Sequence, residues 1–383
     1  MRYRTAPLLV ASLTPLVSAQ IVSRFVDPTS AGPGIAPVEV PNANEERQDH
    51  LVVQDGSKGG NGLLFVWLPG SGAVPAQYER LAETAAELGY DVAGLVYDNW
   101  PPVNALTLND SDPDLPEAIR RERLFGEDAT EQIDVNVANS ITNRLIRLLE
   151  QQDELFPAEG WGDYVRPGGG LDWSRIVFGG HSQGAGHSTF LTKVRPTAGN
   201  LIFAGPGDFV SGLGTAPWVV QPSLVPVEQI FALTHIDDPT SAGFFLNQRL
   251  IGLDRFGQLQ NVDNTPGPEL TSHMLFSTLD PGHTNFHSAV AVDDLLPLDG
   301  QSENRYAEAW RYMLGSVGAI AGRCSPADIG PPFSTLSQSD VAAFVEAFFG
   351  GRAEADVAEP FGVISQSDVT RFIELFFVGC PAD

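Results

Sequence analysis

Short, nearly continuous apolar runs recur along the first three quarters of the chain. They are Leu51–Gln54, Gly62–Leu68, Tyr90–Tyr97, Arg175–Gly179, Asn200–Ala204, Gln229–Thr234 and His273–Ser277. Runs of this length, rich in β-branched and aromatic residues, predict strands, and their lack of polar alternation predicts a sheet covered on both faces. Between them lie stretches of helical period. Tyr78, Leu81, Ala82, Ala85 and Leu88 repeat at three- and four-residue steps and close at Gly89. Ile133, Val137, Ile141, Leu145, Leu148 and Leu149 do the same against Arg144 and Arg147. Strand, helix, strand is a parallel crossover unit, so the pattern predicts an open, doubly wound, mostly parallel α/β sheet with its site at the carboxyl ends of the strands. Residues 20–50, rich in Pro, Gly and Asn, read as an extended lead-in without its own core. Residues 98–130 are too long for an ordinary connection and are expected to form a lid, a substrate-binding insertion or simply a decorated loop.

The period changes near residue 323. Asp328 and Asp356, and likewise Asp340 and Asp368, are 28 residues apart, which marks a tandem repeat. In each copy a loop leads through Ser-Gln-Ser-Asp into a short helix. The stripe Val341, Phe344, Val345 and Phe348 has its counterpart in Val369, Phe372, Ile373 and Phe376. Units this short bury their stripes against each other, so residues 323–383 are expected to form a small all-α unit behind a domain of residues 20–322.

Composition narrows the picture. The chain has 383 residues, 43% of them apolar and 18% charged, which excludes a disordered chain and leaves room for one large core. Its net charge of -26 repels nucleic acid and anionic membranes. Residues 1–19 carry Arg2 and Arg4, an apolar run, and then Val17-Ser18-Ala19, the layout of a secretory signal. No other segment is apolar enough to span a bilayer. The expected location is therefore extracellular or at the cell surface, with the periplasm as an alternative. The two cysteines, Cys324 and Cys380, form an even pair in an exported chain and are expected to be bridged.

The chemistry centres on Gly180-His181-Ser182-Gln183-Gly184, which follows a strand and opens a helix. That is the context of a nucleophile elbow, a sharp turn that holds a serine at its tip. Such a serine needs a base oriented by an acid, and on this kind of sheet they follow in the order serine, acid, histidine. The acid is Asp238 or its neighbour Asp237, with Asp238 preferred because it lies further beyond its strand and Pro239 fixes the turn. The base is His287, with His283 as the alternative, while His273 begins its strand and so sits at the wrong end. The spacing of His283 and His287 would also suit two metal ligands on a helix, but Pro281-Gly282 opposes a helix there. Oxyanion donors are expected from the backbone N–H of Gln183 and of Ser71, in Pro69-Gly70-Ser71-Gly72. No cofactor motif accompanies these residues, so no cofactor is expected.

With these residues in order, residues 50–322 resemble the α/β-hydrolase superfamily. Asp172 to His187, with its Gly-His-Ser-Gln-Gly-Ala-Gly-His core, looks like a bacterial branch in which a segment similar to His287-Ser288-Ala289-Val290 carries the base. The resemblance implies a serine hydrolase of esterase type, and the reading that follows is an exported enzyme acting on a small-molecule, carbohydrate or polymer ester. The final sixty residues resemble a two-repeat dockerin-like anchoring unit, which implies a cohesin-like or cell-surface partner and calcium held near Asp328, Asp340, Asp356 and Asp368. Gly330-Pro331-Pro332-Phe333 and Ala358-Glu359-Pro360-Phe361 stand where interior ligands would be, and prolines and phenylalanines coordinate nothing. Two rivals remain: a non-catalytic binding scaffold anchored by its repeats, and a hydrolase of amide or polyester bonds.

Overall fold

The computed structural model describes residues 20–41, 48–56, 60–320, 325, 327–329, 336–350, 355, 357–358 and 363–379. The expected signal at 1–19, the Cys324–Cys380 bridge and Asp356 lie outside the described residues.

Strands β1 (Ile21–Val26), β2 (His50–Asp55), β3 (Leu64–Leu68), β4 (Asp91–Gly94), β5 (Ile176–His181), β6 (Gly199–Phe203), β9 (Ile230–His235), β10 (Gln260–Asn261) and β11 (Met274–Ser277) form one sheet. The short pair β7 (Phe209–Val210) and β8 (Gly214–Thr215) makes a separate hairpin. The large sheet runs in the order β1-β2-β4-β3-β5-β6-β9-β11-β10, parallel from β4 to β10 and antiparallel at β1 and β2. β5 is central, and every one of its residues is buried. Helices α1 (Glu79–Glu87) and α7 (Ala307–Ile320) cover one face, where Phe65, Trp67, Leu81, Trp310 and Met313 meet. Helices α4 (Ile141–Leu155), α5 (Gln183–Val194) and α6 (Ser241–Ile251) cover the other, over Leu64, Val66, Phe178, Leu145 and Leu191. Residues adjacent in β3 thus enter opposite cores, which is why its run is apolar throughout. This is the open, doubly wound, mostly parallel α/β arrangement that the sequence pattern predicts.

Three local features depart from the sequence pattern. The lead-in contributes β1, an edge strand on β2, because Ile21, Val22, Phe25 and Val26 gain partial cover there. Helix α4 begins at Ile141 rather than near Ile133, because Ser140 caps it by accepting from the Asn143 N–H at 3.3 Å. Residues 98–130 fold into helices α2 (Val103–Thr107) and α3 (Leu115–Phe125), joined by a small cluster of Val103, Leu115 and Ile119.

Helices α8 (Gln338–Gly350) and α9 (Gln366–Val378) share a cluster of Ala327, Ile329, Phe344, Ala347, Ala355 and Phe372. Phe344 and Phe372 stack at 4.0 Å between ring centroids. The expected stripe is only partly buried: Val341, Val345 and Ile373 are exposed, and Ala347 takes the inner position instead. No helix among the described residues is long and apolar enough to cross a membrane.

Candidate active site

Ser182 stands between β5 and α5 with φ 56 and ψ -114, a conformation costly for a residue with a side chain. Two glycines make that turn sterically feasible. A Cβ on Gly180 would lie 2.3 Å from the Gly184 carbonyl carbon, and one on Gly184 would lie 1.9 Å from the Leu68 carbonyl oxygen. The glycines are therefore set by close backbone approach between β5, α5 and β3. Ser182 sits at the amino end of α5, where the helix dipole favours developing negative charge.

Asp238 follows β9 and is buried. Its Oδ1 accepts from the Thr240 N–H at 2.8 Å and hydroxyl at 2.6 Å, and its Oδ2 lies 2.6 Å from His287 Nδ1. Burial pushes this carboxyl up, but the hydrogen bond and charge of His287, with those from Thr240, outweigh burial and hold it below the ordinary carboxylate range. An ionised Asp238 fixes the proton of a neutral His287 on Nδ1, which leaves the Nε2 lone pair for a proton acceptor's work. Asp237, by contrast, is exposed, and its N–H caps His235 Nδ1.

His283 is committed to the backbone. Its Nδ1 accepts from the Asn285 N–H at 3.2 Å and its Nε2 faces the Leu295 carbonyl at 3.0 Å. His273 stacks on Phe231 and Phe256 beside the Ile230 carbonyl. His181 is also non-catalytic in placement: its Nε2 lies 3.1 Å from the His287 carbonyl, so it donates there, and its Nδ1 accepts from Tyr78 Oη at 3.1 Å. Burial first, then the neighbouring His287, push its imidazole down to about 3, so it stays neutral.

Ser71, Ser182, Gln183, Asp238 and His287 line one cavity of about 410 Å³, walled by Val103, Phe209 and Phe244 among others. The Gly70 N–H meets Tyr78 Oη at 3.4 Å and the Gly72 N–H meets Asn99 Oδ1 at 3.2 Å. The Ser71 N–H between them has no partner among the described residues. Gly70 brings this loop against the elbow, since a Cβ there would lie 2.9 Å from His181 Nδ1 and 3.2 Å from Ser182 Cβ.

Several site residues carry no motif in the sequence. Arg120, from α3, pairs with Asp208 through Nε at 2.6 Å while its Nη1 reaches the Gln183 carbonyl at 3.3 Å and His187 Nδ1 at 3.1 Å. A Cβ on Gly186 would lie 2.0 Å from Arg120 Nη2, so the third glycine of the elbow helix seats this guanidinium. Arg120 Nη2 also donates to Asp208 Oδ1, and Trp218 Nε1 adds a third hydrogen bond to Asp208 at 2.7 Å. Both charges line the cavity, and they neutralise each other there.

Among the described residues, the carboxylates of the repeats are taken up by hydrogen bonds. Asp368 Oδ1 accepts from the N–H groups of Val357 and Ala358, and its Oδ2 from Ser365 N–H. Asp340 Oδ2 accepts from Ser337 N–H at 2.7 Å. Asp328 is buried, and no group of three or more His, Cys, Asp or Glu among the described residues is arranged to hold a metal.

No protein-family model matches the chain, and no curated protein sequence matches it. Among solved structures, a bacterial heroin esterase is similar over 81% of this chain and 87% of its own, at 16% identity and a TM-score of 0.38. A Klebsiella pneumoniae protein described as a dienelactone hydrolase is similar over 78% of this chain and 98% of its own, at 10% identity and a TM-score of 0.35.

Proposed function

We propose that this chain is an exported serine hydrolase of carboxylic esters. The observation that carries the reading is that Ser182, held at φ 56 on the elbow, shares a cavity with His287, whose Nδ1 lies 2.6 Å from the buried Asp238 carboxylate. His287 takes the Ser182 proton on Nε2 as Oγ attacks the ester carbonyl carbon. The carbonyl oxygen becomes an oxyanion between the N–H groups of Gln183 and Ser71. Collapse of the tetrahedral intermediate breaks the bond to the alkoxide, which leaves with the proton from His287. Water, deprotonated by the same imidazole, then attacks the acyl-enzyme and releases the acid. Asp238 keeps the ring in the useful tautomer throughout. The largely apolar walls and the self-neutralised Arg120–Asp208 pair favour an uncharged acyl group.

The sequence of residues 1–19 supports export, and the repeats after residue 323 support attachment to a cohesin-like or cell-surface partner. The test is fluorophosphonate labelling of the mature chain beside Ser182→Ala and His287→Ala. Labelling of wild type alone is expected, with hydrolysis of short p-nitrophenyl esters. A folded wild type that resists the probe would overturn the reading in favour of a binding scaffold.

A further inference from the structure

Asn99 stands just beyond β4, at the head of the insertion, and is 1% exposed, so water cannot take over its hydrogen bonds. Its side chain makes three of them, all to the loop that presents Ser71. Oδ1 accepts from the Gly72 N–H at 3.2 Å, and Nδ2 donates to the Gly70 carbonyl at 2.9 Å and the Ala73 carbonyl at 2.8 Å. Two carbonyls and one N–H admit only one orientation of the amide, so the assignment is fixed by the network.

The same segment holds the other side of the site. The Asn99 carbonyl accepts from Gln183 Nε2 at 2.9 Å, and Gln183 Oε1 accepts from the Val103 N–H at 2.8 Å and Arg123 Nη1 at 2.9 Å. Arg123 Nη2 in turn donates to the Pro101 carbonyl at 2.6 Å. Residues 99–103 thus tie together the backbone segments that carry Ser71 and Gln183, both of which line the cavity, one after β3 and one at the head of α5.

We propose that Asn99 is a positioning residue that sets the separation of the Ser71 and Gln183 N–H donors, an inference that rests on the oxyanion role given to them above. The insertion is then a fixed brace for the oxyanion site rather than a lid over it. Truncating Asn99 strips the Gly70–Ala73 loop of three bonds and frees the Ser71 peptide to turn. Donors help only when aimed at the position the oxyanion will occupy, so the loss falls on the transition state and not on ground-state binding.

The experiment compares Asn99→Ala with wild type for p-nitrophenyl acetate kinetics, thermal melting and hydrogen exchange of peptides spanning 70–74 and 183–186. The expected result is a kcat lowered about 10- to 100-fold with KM held within about 2-fold, and faster exchange at the Gly72 amide. Gln183→Leu is expected to act in the same direction, with a double variant less impaired than the two separate losses combined. A folded Asn99→Ala whose kcat stays within about 2-fold of wild type, or whose loss lies in KM, overturns the proposal. If the Ala variant does not fold, Asn99→Asp, which keeps the Oδ1 acceptor for Gly72 and loses the donor to Gly70 and Ala73, carries the same comparison. A wild type without esterase activity would sink the functional reading alone; unchanged exchange at 70–74 in the variant would sink the brace.

Discussion

The Oδ2 of Asp238 lies 2.6 Å from His287 Nδ1, while its Oδ1 is saturated by the two Thr240 donors. The carboxylate therefore accepts three hydrogen bonds and donates none, and it acts on the ring by orientation and charge. Asp238→Asn keeps the shape but offers His287 an N–H or a weaker acceptor, which favours the wrong tautomer. The expected result is a kcat lower by about 10⁴-fold with little change in KM, read by steady-state kinetics. A loss confined to KM would contradict an orienting role. Because the Asp238 carboxyl is held below its ordinary range, its contribution to stability is complete above the unfolded carboxylate value and is lost as pH falls through the folded one.

The elbow makes a steric prediction independent of chemistry. Gly184 packs so closely on β3 that any Cβ would lie 1.9 Å from a main-chain oxygen that cannot rotate away. Gly184→Ala is expected to cost at least the upper end of the roughly 1–3 kcal/mol typical of overpacking, and to abolish labelling of Ser182. Gly168→Ala is the contrast: that glycine has a positive φ but open space around it, so its penalty is conformational and modest. Melting temperatures of the two variants decide the matter, and equal shifts would refute the close-approach argument.

Four of the buried histidines set a pH dependence. Burial lowers His50 and His181 to about 3 and His273 to about 4, and lowers His187 well below its ordinary value. The unfolded chain protonates all of them below about pH 6.5 whereas the folded chain does not, so stability falls as pH falls. Asp293 opposes this, because burial pushes its carboxyl up to about 7 and the folded state takes up that proton first. Calorimetry at pH 7 and pH 5 should show a marked drop in melting temperature. His50→Asn, which keeps an acceptor near the Val96 N–H, should flatten the slope; an unchanged slope would remove His50 from the account.

What the sequence made legible was whatever depends on near neighbours in the chain. The buried strands announced themselves as unbroken apolar runs, and the elbow as glycines flanking a serine between strand and helix. The start of α4 was also written locally, in Ser140, but the apolar period running back through Val137 and Ile133 masked it. Contacts between distant segments left no such trace. Asn99, Arg120 and Asp208 are single polar residues outside any local motif, and only folding brings Arg120 to Gly186 or Asn99 to Gly72. Edge strand β1 was obscured for a related reason, since its partner cover comes from β2 and not from its own pattern.

The C-terminal repeats offer the last prediction. Asp368 gathers the N–H groups of Val357, Ala358 and Ser365 at 2.9, 2.8 and 2.7 Å. This carboxylate ties Val357 and Ala358 to the start of α9, which is the structural task that a bound cation would otherwise perform. Asp368→Ala leaves those donors without their acceptor and is expected to cost about 1–3 kcal/mol, confined to the repeat cluster around Phe344 and Phe372. Limited proteolysis should cut the variant within residues 325–379 while fluorophosphonate labelling of Ser182 persists. Because the carboxylate oxygens already accept backbone N–H groups, millimolar calcium or a chelator should leave wild-type melting unchanged. A calcium-dependent rise of several degrees would mean that these aspartates turn outward to a metal, and the hydrogen-bonded account of the loop would fall.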